Sequence, residues 1–454
     1  MSWMGQGARA VALVTVAVLW SGAAAAQMLS VEEAVRLALE RNVGIVAAEA
    51  SLDEARSAQY SALAGVLPSV SLNAARSGFW QNERTGTQVF GGFVVPTPRS
   101  DLEQFSTDPT VNASWQVLNL ASLSGVQAAR TGVGAARDRR QASRNDVSYA
   151  TRQKYYDVVR AVLTADVNAD ALSLARDEER RVRALFEVGS VSRSDLLQAQ
   201  VRTAQSELDS LISRNAVLTR RIALADQLGM SESEMGLVDT TLTTTIETFD
   251  AAQILEEAGR NRPDIAAAEA EFNAAKASLR AANFRRLPYL SLSGSATFQP
   301  RSSFKVTEPV PDSADIVLTG FNESDLEYSA RIALNWNVFD GFATDAAIAS
   351  ARARRMRAES AHDQLRRNLE GEVRQVLLAY REATEGLQVA SRALESAEES
   401  HKLIQQKYNV GSATILELIN AQVQLQRAAN DEVGARAAIK VAEAAVARVR
   451  GVSQ

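Results

Sequence analysis

One structural unit is written twice along the chain, and it combines alternating strands with helices too long for a single globular core. Residues 41–50, RNVGIVAAEA, align with residues 261–270, NRPDIAAAEA, setting Ile45 on Ile265 and Glu49 on Glu269, an offset of 220. The offset carries forward: Leu67-Pro68-Ser69-Val70-Ser71-Leu72 falls on Leu287-Pro288-Tyr289-Leu290-Ser291-Leu292, and Trp115-Gln116-Val117-Leu118-Asn119 on Trp336-Asn337-Val338-Phe339-Asp340. The densest match sets Phe186-Glu187-Val188-Gly189-Ser190 on Tyr408-Asn409-Val410-Gly411-Ser412, and Asp195 to Val201 on Glu417 to Val423. A period this long describes a half-domain rather than a solenoid repeat. Residues 27–240 and 241–454 are therefore expected to adopt one architecture built twice.

Four segments alternate with period two. In Tyr289 to Phe298, Leu290, Leu292, Gly294, Ala296 and Phe298 share one face, and Ser291, Ser293, Ser295 and Thr297 the other. Tyr328 to Phe339, Val111 to Val117 and Val70 to Ala74 alternate in the same way. Strands are expected at about 69–80, 108–119, 289–299 and 327–339, each near the length that crosses a bilayer when tilted. Of the 26 aromatic residues, fourteen fall within 68–120 and 288–342, where interfacial girdles belong. The polar face is mostly Ser, Thr, Asn and Gln, which suits a wet lumen. The intervening stretches 81–107 and 299–327, rich in Gly, Pro, Ser, Thr and Asp, read as exposed hairpin loops. Four strands cannot close a transmembrane barrel, since about eight are needed and open edges are not tolerated in lipid. The chain must assemble, and a trimer gives twelve strands.

Proline-free stretches follow each strand pair. Leu369, Val373, Val376, Tyr380, Ala383, Leu387, Ala390, Leu394, Ala397, His401, Ile404 and Tyr408 step by fours and threes, a continuous heptad seam. A noisier stripe, Val158, Ala165, Leu172, Ala175, Val182 and Phe186, marks the first half. At 1.5 Å per residue such helices are about 100 Å long. Each ends at a glycine, Gly189 or Gly411, and a second helix returns, giving long hairpins over 121–228 and 341–450. Ser192 with Asp195 and Thr414 with Glu417 are spaced as capping boxes at the returning helices.

Arg9, the apolar run from Ala10 to Trp20 and Ala24-Ala25-Ala26 read as a signal peptide over 1–26. The chain has no cysteine, hence no disulfide and no acylated lipobox. A net charge of −5 gives no basic footprint for nucleic acid. With two histidines, no cysteine, no P-loop and no dinucleotide fingerprint, neither catalysis nor a cofactor or metal is expected, and any energy comes from a partner.

The double repeat, the Leu-Pro strand starts, the run Trp336-Asn-Val-Phe-Asp-Gly341 and the two Val-Gly-Ser tips resemble the TolC family of outer-membrane efflux and secretion channels, over nearly all of Leu29 to Gly451. The resemblance implies an α+β membrane protein. Its homotrimer has a 12-stranded outer-membrane β-barrel, four strands per chain, that continues into a long periplasmic α-helical barrel of coiled hairpins. It implies a passive exit duct of a tripartite efflux pump or type I secretion system, in the outer membrane with a periplasmic extension. The partners implied are outer-membrane lipid, a periplasmic adaptor and an inner-membrane pump or ABC transporter. Carried over, the periplasmic gate comprises Tyr408, Glu417, Asn420 and Asp195, and the adaptor-docking tips Val188, Gly189, Ser190, Val410, Gly411 and Ser412. Ala413 stands where the family has a latch arginine, and Asn420 where it has a second acid, leaving one ring of Glu417 carboxylates whose mutual repulsion would raise their pKa. A structural trimeric coiled-coil envelope or adhesin protein is the alternative.

Overall fold

A computed structural model describes residues 28–82, 87–96, 101–243, 246–299, 303–308, 316–321 and 325–452. The expected signal peptide lies outside the described residues, as do parts of the two expected loops. The chain divides into two compact units, one of Met1–Ile45, Arg144–Ile254 and Val373–Gln454, the other of Val46–Ser143 and Leu255–Glu372.

The second unit carries the strands: β1 (Ser69–Asn82), β2 (Thr87–Phe90), β3 (Phe93–Pro96), β4 (Asp101–Leu118), β5 (Tyr289–Gln299), β6 (Ser303–Glu308), β7 (Ile316–Phe321) and β8 (Asp325–Asn335). They form two long antiparallel hairpins. The first pairs Ser69↔Ser114 through Asn82↔Asp101 and keeps that register in β2–β3 to Phe90↔Phe93. Between the last pair, Gly91 and Gly92 both have positive φ, 59° and 86°, as a two-residue type I′ turn requires. The second runs from Tyr289↔Asn335 to Gln299↔Asp325 and resumes from Ser303↔Phe321 to Glu308↔Ile316. β4 joins the hairpins by pairing with β5 and β6. Ordered pairing thus reaches well into 81–107 and 299–327, because backbone hydrogen bonding across a hairpin does not depend on loop-like side chains. At the other end, β8 stops at Asn335 rather than 339.

Alternation then sorts the side chains. Cross-strand register aligns Trp115, Leu292 and Ile332 on one face, and Ser114, Ser293 and Arg331 on the other. Val70, Leu72, Ile332 and Leu334 on the first face are each more than two-thirds exposed. On the second face hydroxyls pair across strands: Ser69 with Ser114 at 2.8 Å, Thr110 with Thr297 at 3.1 Å, and Ser295 with Ser329 at 2.8 Å.

The duplication is visible at single atoms. The Trp115 indole N–H donates to the Val66 carbonyl at 2.9 Å, and the Trp336 indole to the Arg286 carbonyl at 3.1 Å. Each tie secures the Leu-Pro step where a helix gives way to a strand. Helix lengths repeat too: α1 (Val31–Arg41) and α5 (Ala251–Asn261), 11 residues; α2 (Val43–Ala64) and α6 (Pro263–Phe284), 22; α3 (Leu120–Glu187) and α7 (Ala343–Asn409), 68 and 67; α4 (Arg193–Leu228) and α8 (Ile415–Arg450), 36.

In the first unit, Ala34, Ala38, Val158, Val159, Leu224, Ala225 and Leu228 form a buried core with Leu29 and Val238, which pair in a parallel bridge. The Tyr155 hydroxyl lies 2.9 Å from the Leu29 carbonyl and 3.0 Å from that of Asp239. Burial, with the Asp239 charge, pushes this phenol up, so it remains a donor. Gly229 ends α4 at φ 69°, where a Cβ would meet the Arg41 carbonyl at 2.9 Å. Along α7 the heptad seam is the shielded stripe: from Val376 to Tyr408 each seam residue is buried or half-buried, whereas most residues between them are exposed. The α3 stripe is shielded from Val158 to Val182, but Phe186 is exposed. Helix α8 buries several faces, with Ala437, Ile439, Ala442, Ala444 and Val446 all shielded, because alanine lets neighbours approach from more than one side.

Candidate functional site at the hairpin tips

Both long hairpins end in the same turn. Helix α3 closes with Gly189 at φ 75° while the Ser190 N–H reaches back to the Leu185 carbonyl at 2.8 Å; α7 closes with Gly411 at φ 77° and Ser412 to Lys407, also 2.8 Å. These are Schellman closures, which need a left-handed residue and so select glycine. Val188, Gly189, Ser190, Val410, Gly411 and Ser412 are all exposed, with Val188 and Val410 at 75% and 79%.

The two acids expected at the entrance both hold helix starts. The Asp195 carboxylate accepts from the Ser192 N–H at 3.0 Å and hydroxyl at 2.8 Å, and the Asp195 N–H donates to Ser192 Oγ at 3.2 Å. Glu417 accepts from the Thr414 N–H at 2.7 Å and hydroxyl at 3.0 Å, with the reciprocal bond at 3.3 Å. Those bonds, the backbone one foremost, hold the Glu417 carboxyl below its ordinary value. Asn420 lies one turn further along α8 and is exposed.

Beneath the tips, Val182, Ala199, Ile415 and Leu418 form a buried apolar cluster, with Val191, Leu196, Ile404, Tyr408 and Ile419 against it. The Tyr408 ring faces α3, where the Arg181 guanidinium carbon stands 4.8 Å from the ring centroid. Arg181 Nη1 donates to Asn409 Oδ1 at 2.7 Å and Nη2 to Glu178 Oε1 at 3.1 Å. Burial and the Glu178 charge push the Tyr408 phenol up, and burial raises the Glu178 carboxyl against its Arg181 and Tyr408 partners. In the single chain, then, Tyr408 is engaged by Arg181 and Glu178, while the carboxylate of Asp195 serves its own helix. Sequence reasoning missed Arg181, Glu178 and Asn409, since Glu178 and Arg181 lie in the run DEERRVR, which reads as a solvated face.

A family model described as outer membrane efflux protein matches residues 34–230 and 254–452, one match for each repeat. The chain belongs to the outer membrane efflux protein family. It is accordingly an outer-membrane efflux channel with a periplasmic extension, a transporter and not an enzyme. Solved structures share the fold at low identity, each covering 93% of this chain. The CmeC outer membrane channel of Campylobacter jejuni is 16% identical over 85% of its own chain, with TM-score 0.75. The outer membrane protein VceC of Vibrio cholerae is 18% identical over 96%, at 0.74. The MtrE outer membrane channel of Neisseria gonorrhoeae is 17% identical over 89%, at 0.70. A search among curated proteins finds no match.

The capping bonds of this efflux channel give a pH prediction. Because the folded Glu417 carboxyl titrates below its ordinary value, its stabilisation of the α8 start is complete above that value and is lost as pH falls through the depressed one. Thr414→Ala, which removes the hydroxyl's bond to the carboxylate and the reciprocal bond from the Glu417 N–H but keeps the backbone one, is expected to move the Glu417 titration upward in carbon-detected NMR of the solubilised single chain. An unchanged midpoint would show that the hydroxyl contributes nothing.

Proposed function

We propose that three copies of the chain close a twelve-stranded barrel in the outer membrane, and that α3, α4, α7 and α8 of each copy wall a conduit through the periplasm. One observation carries the reading: among the described residues β1 and β8 each pair along one edge only, while Val70, Leu72, Trp115, Leu292, Ile332 and Leu334 stand exposed on one sheet face. Bare strand edges are excluded from lipid. Antiparallel pairing of β1 in one copy with β8 in the next removes both edges at once and leaves the apolar face for lipid. A second bare surface agrees with assembly: Leu197, Val201, Leu208, Leu211, Leu218 and Ile222 line α4 at helical spacing, each more than half exposed.

The conduit is the passive exit of a tripartite system. An inner-membrane pump or ABC transporter supplies energy, and a periplasmic adaptor docks on Val188, Gly189, Ser190, Val410, Gly411 and Ser412. The entrance is gated by Tyr408, Glu417, Asn420 and Asp195. Three Glu417 carboxylates converging on the axis repel one another, which raises their pKa against the helix cap and favours cations.

Planar-bilayer recording on the purified protein tests this. We expect a detergent-stable trimer with a small ion conductance that rises when Glu417→Ala and Tyr408→Phe are combined. A water-soluble monomer, or silence from both proteins, overturns it.

A further inference from the structure

We infer that Asn168, Arg202, Gln426 and Asn430 form a sorting key, which makes the first helical hairpin (α3 with α4) accept the second (α7 with α8) and refuse another copy of itself, an inference that rests on the assembly proposed above. The four side chains meet where the two hairpins of one chain touch, well above the tips. Arg202 Nη2 donates to Gln426 Oε1 at 2.7 Å. Gln426 Nε2 donates to Asn168 Oδ1 at 2.8 Å and stands 3.4 Å from Asp209 Oδ2, and Asn430 Nδ2 reaches Asn168 Oδ1 at 3.3 Å. Asn168 and Arg202 are each 7% exposed. As a source of stability the cluster is poor, because Arg202 Nε and Asn430 Oδ1 are buried with no partner. Buried polar groups of this kind serve to specify which surfaces meet.

The duplication shows what the key excludes. With Asp195 set on Glu417, the α4 counterparts of Gln426 and Asn430 are Ala204 and Leu208, and the second-hairpin counterparts of Asn168 and Arg202 are Ala390 and Gln424. A first hairpin meeting another copy's first hairpin in the same way would bury Arg202 and Asn168 against Ala204 and Leu208, leaving a charge and an amide unpaired. The face of α8 that carries the key is covered within the chain: Ile419, Val423, Asn430, Val433, Lys440 and Ala444 are all buried or half-buried. Its counterpart on α4, Leu197, Val201, Leu208, Leu211, Leu218 and Ile222, is bare. The partner that fits this bare face is the second hairpin of another copy. There Ala390 replaces Asn168 and lines an open groove with Ala393, Gly434 and Ala435. Hairpins then alternate, joined by polar contacts within a copy and by apolar ones between copies.

The test is complementation in the whole protein. It is read by the yield of denaturant-resistant trimer and by a spin label on one cysteine introduced at Gln205, exposed on α4 of a chain with no cysteine of its own. Gln426→Ala with Asn430→Leu, which gives α8 the face of α4, is expected to lower the trimer yield about tenfold, as stranding a charged hydrogen-bond donor does. Adding Asn168→Ala and Arg202→Gln, which gives the first hairpin the face of the second, is expected to restore the yield but not the order. Beside the single label distance that threefold symmetry gives, a shorter one then appears from first hairpins lying side by side. The key is refuted if the two-residue variant assembles like wild type, or if the four-residue variant either fails to regain trimer or keeps the single distance. A wild-type chain that forms no trimer overturns the assembly reading itself, and the key with it.

Discussion

Arginine at Ile332 is expected to keep the protein out of the outer membrane. Ile332 lies mid-strand in β8, 72% exposed, on the face that register makes continuous with Leu292 and Trp115. An arginine on a lipid-facing strand near the midplane costs about 2–4 kcal/mol, and in the proposed trimer the penalty falls once per copy. The neighbouring side chains are the control. Arg331 already occupies the opposite face, so Ser329→Arg, on that same face, is expected to insert and assemble near wild-type levels. Membrane fractionation followed by denaturant-resistant gel migration reads both variants. Equal insertion of Ile332→Arg and wild type would mean that the apolar face is covered by protein rather than lipid.

Leu418→Ala is expected to loosen both hairpin tips together. The side chain is fully buried among Val182, Ala199 and Ile415, residues drawn from α3, α4 and α8, with Ile404 and Tyr408 of α7 against them. Truncating a buried leucine costs about 2–5 kcal/mol, because the surroundings collapse only partly into the space left. Amide hydrogen exchange should therefore accelerate by roughly thirtyfold or more around residues 182–199 and 404–419 together, while Leu416→Ala, 53% exposed two residues earlier on the opposite side of α8, changes it little. Acceleration confined to α8 would show that the tips are held independently of this cluster.

How much of this was legible in the sequence varies with how far each signal reaches along the chain. The α7 seam was readable residue by residue, since a heptad records one shielded stripe on a helix whose other faces stay polar. The capping boxes at Ser192 and Thr414 were readable because both partners lie within one turn. The strands showed through alternation, but the reach of the hairpins did not, since composition around Gly91 and Lys305 imitates loops and only pairing with a distant strand orders it. Arg181 was illegible for a related reason: nothing local separates it from Arg180 or Arg183, and its role appears only when Asn409, 228 residues away, is brought to 2.7 Å.

The paired hydroxyls across the sheet carry a last consequence. A serine or threonine gives a proton to one neighbour and takes one from another with equal ease, so a surface of them has no preferred sign. In a barrel closed with that face inward, the hydroxyl rows would hold back neither anionic nor cationic cargo. Discrimination by charge would then fall to the few ionised groups along the way, Arg331 on that face and the carboxylates at the entrance, and to whatever lies upstream.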